Sequence, residues 1–165
     1  MNFKISVYFM PTLILSAIIG GILGLLTLIP IINLFAFLAY GLVGGLTVYL
    51  LKRKALVGIL SINDGTIIGA ISGFVAVIAA SIVYMPIAFI LGQFLAAFSI
   101  GFKMNVPFWV ASLNIFFTFM IVSFLGFLNA LFSAFSGLIA AFIYEKIESQ
   151  TEQDRAEFRI DITDN

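Results

Sequence analysis

Three long uncharged runs dominate the chain. Residues 5–51, 65–102 and 104–144 contain no Asp, Glu, Lys or Arg. A membrane-spanning helix needs about 20 apolar residues, so the first run has room for two spans and each of the others for one long span or two short ones. The runs lack the apolar–polar alternation of barrel strands, and a helix satisfies its own backbone groups in lipid. The pattern therefore predicts transmembrane helices.

Turn-forming residues divide these runs into separate spans. Pro30 and Asn33 interrupt the first run, because proline removes a helical donor and restricts the residue before it. Asn63-Asp64-Gly65 offers a helix N-cap. The predicted spans are residues 7–28, residues 32–51, one span starting near Thr66, and residues 119–143.

The region 86–118 does not fit a single span. Pro86, Lys103 and Pro107 interrupt it, and Trp109 is typical of an interface anchor. A second such anchor, Tyr144, would be about 52 Å away along one helix, whereas the bilayer core is only ~30 Å thick. We therefore expect an interfacial or re-entrant segment near 86–118 and a four-helix transmembrane bundle. Six short spans are the alternative.

The positive charges predict the orientation. With four spans, seven basic residues fall on one side of the membrane and only Lys103 falls on the other. The seven are Lys4, Lys52, Arg53, Lys54, Lys146, Arg155 and Arg159. Both termini are then expected to be cytoplasmic, in a prokaryotic plasma membrane. The sequence divides into a transmembrane helical domain, residues 1–144, and a polar, acidic cytoplasmic tail, residues 145–165.

Composition narrows the function further. Hydrophobic residues make up 62% of the chain and charged residues 10%, with a mean hydropathy of +1.20, which excludes a soluble globular or disordered protein. Basic and acidic residues number 8 each, so we expect no nucleic-acid partner. The absence of Cys and His removes the commonest general base and the usual zinc and haem ligands. We therefore expect no enzymatic activity, metal or cofactor.

Two segments of the chain resemble one another. Residues 33–45 align without gaps on residues 129–141, pairing Asn33 with Asn129. This pattern suggests two repeated hairpins in the same orientation, an arrangement found in transporters. The two asparagines could then line a polar midpoint. The simpler interpretation, which we favour, is that Asn33 caps a helix and Asn129 forms a hydrogen bond across a helix interface.

Small residues recur at four-residue spacing, which places them on one helix face and lets backbones approach closely. We expect these positions to mediate helix packing. They are Gly20, Gly24, Gly41, Gly45, Gly65, Gly69, Gly73 and Gly137.

The tail carries its own pattern. Residues 145–157 have a helical composition and continue the last span, whereas residues 158–163 alternate apolar and polar side chains as a strand does. Such a strand can add to the edge of a partner's sheet. Phe158, Ile160 and Ile162 are therefore the predicted partner contacts.

Three motifs carry a family resemblance. Pro30-Ile-Ile-Asn33, Tyr49-Leu-Leu-Lys-Arg-Lys54 and Asn63-Asp-Gly-Thr-Ile-Ile-Gly69 together resemble small, uncharacterised prokaryotic four-span membrane proteins. The resemblance covers roughly residues 15–80, and the region 86–118 and the acidic tail depart from it. It implies a bundle fold and no particular activity.

These observations favour a non-catalytic accessory or scaffold subunit of a larger membrane complex. Its expected partners are membrane lipids and other membrane subunits or further copies of the chain. The alternative is a small channel or carrier for a neutral solute, a lipid or an ion.

Overall fold

Helices make up most of the part of the chain that the structure describes. A computed structural model describes residues 4–58, 60–98 and 108–163. The helices are α1 Lys4–Leu26, α2 Pro30–Gly41, α3 Val43–Arg53, α4 Ile62–Phe98 and α5 Phe108–Thr163. Among the described residues, three segments are long and apolar enough to cross a membrane: Tyr8–Leu26, Ile62–Ala88 and Phe117–Thr151. The prediction of an all-α membrane protein is confirmed at this level.

The second predicted span is interrupted. Pro30 occupies the first turn of α2, after Ile29 in the extended conformation that a following proline favours. The helix ends at Gly41, and α3 begins two residues later, after Leu42. α2 and α3 have 12 and 11 residues, or about 18 and 17 Å, so neither alone crosses a ~30 Å core. The structure therefore shows three helices of spanning length, not four.

The region 86–118 contains no separate segment among its described residues. α4 continues through Pro86 to Phe98, and α5 is already helical from Phe108; residues 99–107, including Lys103, lie outside the described part. The unbroken helix at Pro86 removes one of the breaks on which the expected interfacial or re-entrant segment rested, and the segment itself stays a prediction. Proline is tolerated inside a membrane helix because neighbouring groups satisfy the freed carbonyl. Six short spans are not seen either, since α4 and α5 are each unbroken.

The start of α4 lies earlier than predicted. Ser61 is the N-cap: its hydroxyl accepts a hydrogen bond from the Asp64 N–H at 3.2 Å, and the Asp64 carboxylate accepts one from the Ser61 N–H at 3.4 Å. This is a reciprocal capping box, which satisfies two otherwise free donors. The helix therefore begins at Ile62, and Asp64 lies in its first turn instead of capping a helix that starts near Thr66.

Small residues bring three helices to backbone contact. Gly20 and Gly24 of α1 lie against Ala76 and Ala80 of α4. Since both numbers rise together, α1 and α4 are parallel. Toward the start of α4, Gly65 contacts Ala141 and Gly73 contacts Asn129, so α4 and α5 are antiparallel. Gly69 and Gly73 precede Ala76 and Ala80 by seven residues, about two helical turns, so these small residues share one stripe of α4. We call these two rows of contacts the small-residue ladder.

α3 joins the bundle at the centre of the ladder. A Cβ built on Gly44 would lie 2.8 Å from the Cα of Gly69 and 2.7 Å from the hydroxyl oxygen of Ser133. Further along, the Gly45 N–H donates a 3.0 Å hydrogen bond to the Ser136 hydroxyl. These contacts make α3 parallel to α5. The two hairpins thus run in the same direction, as the repeat hypothesis requires.

One end of the bundle collects the charges. Lys52 pairs with Glu148, and its ammonium also donates a 2.9 Å hydrogen bond to the Gly58 carbonyl. Beneath these groups lies a buried apolar cluster, against which the aromatic side chains of Tyr8 and Tyr144 pack. The cluster consists of Val48, Leu51, Val57, Leu60 and Ile68. We call this end the polar end.

The tail is helical and does not form a strand. α5 continues without a break from the apolar region across Glu145 to Thr163, so the alternating pattern of residues 158–163 was misleading. A continuing helix supplies each residue with an intrahelical partner, whereas a single strand has none. The side chains of Phe158, Ile160 and Ile162 lie outside the described part. At about 100° per residue, these positions no longer share one face.

The turn after α3 contains an unusual backbone. Ala55 has a φ of 51°, the only positive φ of a non-glycine residue among those described. The Leu56 N–H donates to the Leu51 carbonyl and the Ala55 N–H to the Lys52 carbonyl. This is the Schellman pattern, whose left-handed position usually holds glycine.

We predict that Ala55→Gly stabilises the protein by about 0.5–1 kcal/mol. The left-handed conformation costs a non-glycine residue about 1–2 kcal/mol. Glycine also stabilises the unfolded chain by about 0.4–1 kcal/mol, because it gives that chain more conformational freedom, but this effect is the smaller of the two. Ala79→Gly, inside α4, should destabilise by about 1 kcal/mol. Thermal unfolding in mild detergent measures both changes. A lower melting temperature for Ala55→Gly would contradict the prediction.

We predict that Gly69→Ala destabilises the bundle by about 1–3 kcal/mol, the usual cost of overpacking. A Cβ at this position would lie 3.0 Å from the Cα of Ala134 and 3.1 Å from the Cα of Gly137, and it would also meet the Ser133 carbonyl. Gly58→Ala is the matched control, since no atom lies within 4 Å of its Cβ position. Equal melting temperatures for the two variants would refute close packing at Gly69.

Candidate functional site

A cavity of about 400 Å³ lies between the helices beyond the α4–α5 row of the ladder. α4 lines it with Val77, Ala80, Ser81 and Tyr84, which follow the last ladder glycine, Gly73, along the helix. The cavity is therefore displaced from the polar end toward the opposite half of the apolar region. Its volume is in the range of small-molecule sites, about 300–1,000 Å³.

The turn between α1 and α2 supplies one wall. The Thr27 hydroxyl donates a 2.8 Å hydrogen bond to the Gly24 carbonyl in the last turn of α1. The side chain of Tyr40, the penultimate residue of α2, lies beside that of Thr27. Both residues line the cavity, together with the buried Ala36. This wall therefore presents two neighbouring hydroxyl groups.

α5 contributes the amide that lies where the ladder and the cavity meet. The Asn129 side-chain nitrogen donates a 2.9 Å hydrogen bond to the Gly73 carbonyl across the α4–α5 interface. The side chain is 7% exposed and also lines the cavity. An amide buried in an apolar region needs such a partner. The bond fixes the orientation of the Asn129 amide. Leu125 and Leu128 supply the apolar part of the α5 wall.

The described lining of the cavity combines hydroxyl and amide groups with apolar walls. None of the lining residues that the structure describes is Asp, Glu, Lys or Arg. Ser81 donates its hydroxyl to the Val77 carbonyl at 2.8 Å, which leaves its oxygen able to accept. The structure shows no hydrogen bond from the Tyr84 hydroxyl to another described residue. Such a lining can hold a neutral molecule that offers a hydrogen-bonding group and apolar surface.

A second set of polar atoms is packed within the ladder. The hydroxyls of Thr47, Ser72 and Ser133 are fully buried and have no hydrogen-bond partner among the described residues. By contrast, Thr12 and Ser16 donate to carbonyls of their own helix. The helices are in backbone contact around Ser133, so no ligand fits there. Its hydroxyl is buried at the helix crossing, where a small side chain is needed.

All but one of the predicted packing glycines lie in close contact with the backbone of another helix. Gly41 is the exception, because a Cβ there would lie at an ordinary 3.6 Å from the Phe132 Cβ. The remaining seven lie where an added Cβ would meet backbone atoms of another helix at about 3 Å or less: Gly20, Gly24, Gly45, Gly65, Gly69, Gly73 and Gly137. Gly44 has the same environment and was not predicted.

A polar midpoint shared by Asn33 and Asn129 stays a prediction, because the structure describes only the Asn129 side chain. The helix cap that we favoured for Asn33 is wrong, since α2 begins at Pro30 after the N-cap residue Ile29. Asn129 bonds across the α4–α5 interface, as described above, whereas Asn33 lies in the first turns of α2 and its side chain is outside the described part. The sequence did not identify Tyr40, Ser81 or Tyr84 as site residues. A tyrosine away from the ends of an apolar run was the available signal for a polar site, because tyrosine usually lies at the membrane interface.

No protein-metal site emerges from the acidic residues. Among the residues that the structure describes, no group of three or more His, Cys, Asp or Glu could hold a metal ion.

Searches of protein-family models, curated proteins and solved structures found no match to this chain.

Proposed function

We propose that this chain is a non-catalytic integral membrane protein that binds a neutral, partly polar small molecule in the cavity and carries it through the membrane. The observation that supports this proposal is the cavity's uncharged lining, in which hydroxyl and amide groups face apolar walls. This is the carrier alternative of the sequence-based hypotheses, restricted to neutral ligands.

The lining favours a neutral ligand for an energetic reason. An ion in an apolar site costs far more than a neutral polar group unless an opposite charge compensates it. Among the described residues that line the cavity none carries an acidic or basic side chain, and the ion pair Lys52–Glu148 belongs to the polar end. A neutral ligand needs only hydrogen bonds, which Tyr84, Ser81 and Asn129 can offer.

The proposal includes four membrane crossings, with α2 and α3 together forming the second. Their 12 and 11 residues around Leu42 correspond to about 36 Å of helix, enough for a ~30 Å core. α3 also lies parallel to α5, whose apolar part is of spanning length. Both termini then lie on the side of the polar end. The basic residues 52–54 make that side cytoplasmic.

An accessory subunit remains the second candidate, supported by the end of α5. The helix continues for 19 residues beyond Tyr144, from Glu145 to Thr163. In its described part, Ile147 is exposed and Glu148 forms an ion pair with Lys52 of α3. A short helix alone in water is only marginally stable. A partner protein that covers this segment would stabilise it.

We predict that Ser81→Leu abolishes ligand binding, because the added carbons fill the cavity. Ser81→Ala is the matched control: it removes the same hydrogen bond to Val77 without filling space. The protein is extracted from its native membrane in mild detergent and weighed intact by mass spectrometry. We expect one neutral molecule bound per chain in the wild type, a reduced but measurable fraction in Ser81→Ala, which loses one hydrogen-bond acceptor, and none in Ser81→Leu.

Two results would contradict the carrier proposal. One is a wild-type protein that carries no small molecule, and the other is equal retention of a bound molecule in Ser81→Leu. If, in addition, the wild type migrates with a stoichiometric protein partner that is lost when residues 145–165 are removed, the accessory role replaces the carrier role.

A further inference from the structure

We propose that the ligand is a single-chain neutral lipid with a hydroxylated head, such as a monoacylglycerol or a long-chain alcohol, and that it reaches the cavity from the side of the bundle. This inference rests on the proposed function and specifies its substrate class. Depth, access, polarity and volume of the cavity each support it.

Part of the cavity lies at the depth of acyl chains. Its α4 residues run from Val77 to Tyr84, about 20–30 Å along the helix from Asp64 at the polar end. Its α5 residues, from Leu125 to Asn129, lie about 22–29 Å from Tyr144 by the same measure. The surrounding helix surface at this level is apolar. The part of the cavity between Val77 and Ser81 is therefore level with acyl chains, and Tyr84 is level with the interface opposite the polar end.

Access from the polar end is blocked by the ladder. Between the cavity and that end, Gly69 and Gly73 of α4 are in contact with backbone atoms of α5. No aqueous path can pass between backbones at that distance. On the side of the bundle, by contrast, the lining residues Tyr84 and Leu125 are 38% and 50% exposed. The cavity thus opens laterally, where lipid chains surround the helices.

The side wall that α2 forms has few restraints. α2 is bounded by the turn at residues 27–29 and by the helix break at Leu42, and it contacts the other helices much less than α1 or α4 do. Elements with few packing contacts open at low free-energy cost. A movement of α2 would widen the lateral opening without disturbing the ladder.

Polarity and volume select the lipid class. The Tyr84 hydroxyl has no partner among the described residues, and it can bond a hydroxyl or ester oxygen. The absence of charged residues from the described lining disfavours phospholipids and ionised fatty acids. The cavity volume of about 400 Å³ lies in the range of small-molecule sites, about 300–1,000 Å³, which suits a polar head and part of one chain.

The test uses the full-length protein in phosphatidylcholine vesicles that contain a photoactivatable diazirine monoacylglycerol. After irradiation, we expect label on residues 77–84 or 125–129, displaced by unlabelled monoacylglycerol and not by glycerol. Leu125→Trp, at the exposed edge of the cavity, should reduce this label at least fivefold. Leu131→Trp is the control, since Leu131 is similarly exposed on α5 and does not line the cavity. Tyr84→Phe should reduce labelling about fivefold, the effect of about 1 kcal/mol for one hydrogen bond.

Label spread over the lipid-facing surface and unchanged in Leu125→Trp would overturn this inference. Glycerol efflux from the same vesicles separates its failure from that of the proposed function. Protein-dependent glycerol efflux that Ser81→Leu blocks, without cavity labelling, would mean that the cavity carries a water-soluble solute, and the lipid assignment would be wrong. Absence of both signals would overturn the assignment and the carrier function together.

Discussion

The contact of α4 with both α1 and α5 is the interaction on which the bundle depends. Lipid chains are as apolar as the side chains they surround, so membrane helices gain little by burying apolar surface and associate through close packing. Here one stripe of small residues on α4 meets both helices: Gly69 lies against α5, whereas Ala76 and Ala80 lie against Gly20 and Gly24 of α1. The exposed leucine, isoleucine and phenylalanine side chains cover the outside.

The cavity follows from where this packing ends. The Asn129–Gly73 hydrogen bond is the last ladder contact between α4 and α5, and Asn129 is also part of the cavity lining. Beyond it, α1 still contacts α4 closely at Ala80, whereas Phe74 lies against Gly126 and a phenyl ring separates α5 from α4. Because α2 packs sparsely, it leaves the remaining space unfilled. Tight packing near the polar end and loose packing beyond it therefore produce a site that opens to the lipid.

Local patterns in the sequence predicted local features of the fold. Uncharged runs predicted apolar helices, and Pro30 marked the start of α2. Ser61 and Asp64 carry a capping-box spacing that was overlooked, and Pro86 was overinterpreted because a membrane helix tolerates proline. The cavity could not be predicted in the same way. Tyr40 comes from α2, whose distance from α4 and α5 is a tertiary property without a local signature.

The arrangement of α2 against α5 can be measured directly, because the chain has no cysteine. The Gly41 Cβ position lies 3.6 Å from the Phe132 Cβ, within the range of about 3.5–4.5 Å for disulfides. We expect the pair Gly41→Cys and Phe132→Cys to form an intramolecular disulfide in membranes. The pair Ala36→Cys and Leu125→Cys, which lines the cavity from α2 and α5, should remain reduced. Failure of the first pair, or equal oxidation of the second, would contradict an open cavity between these helices.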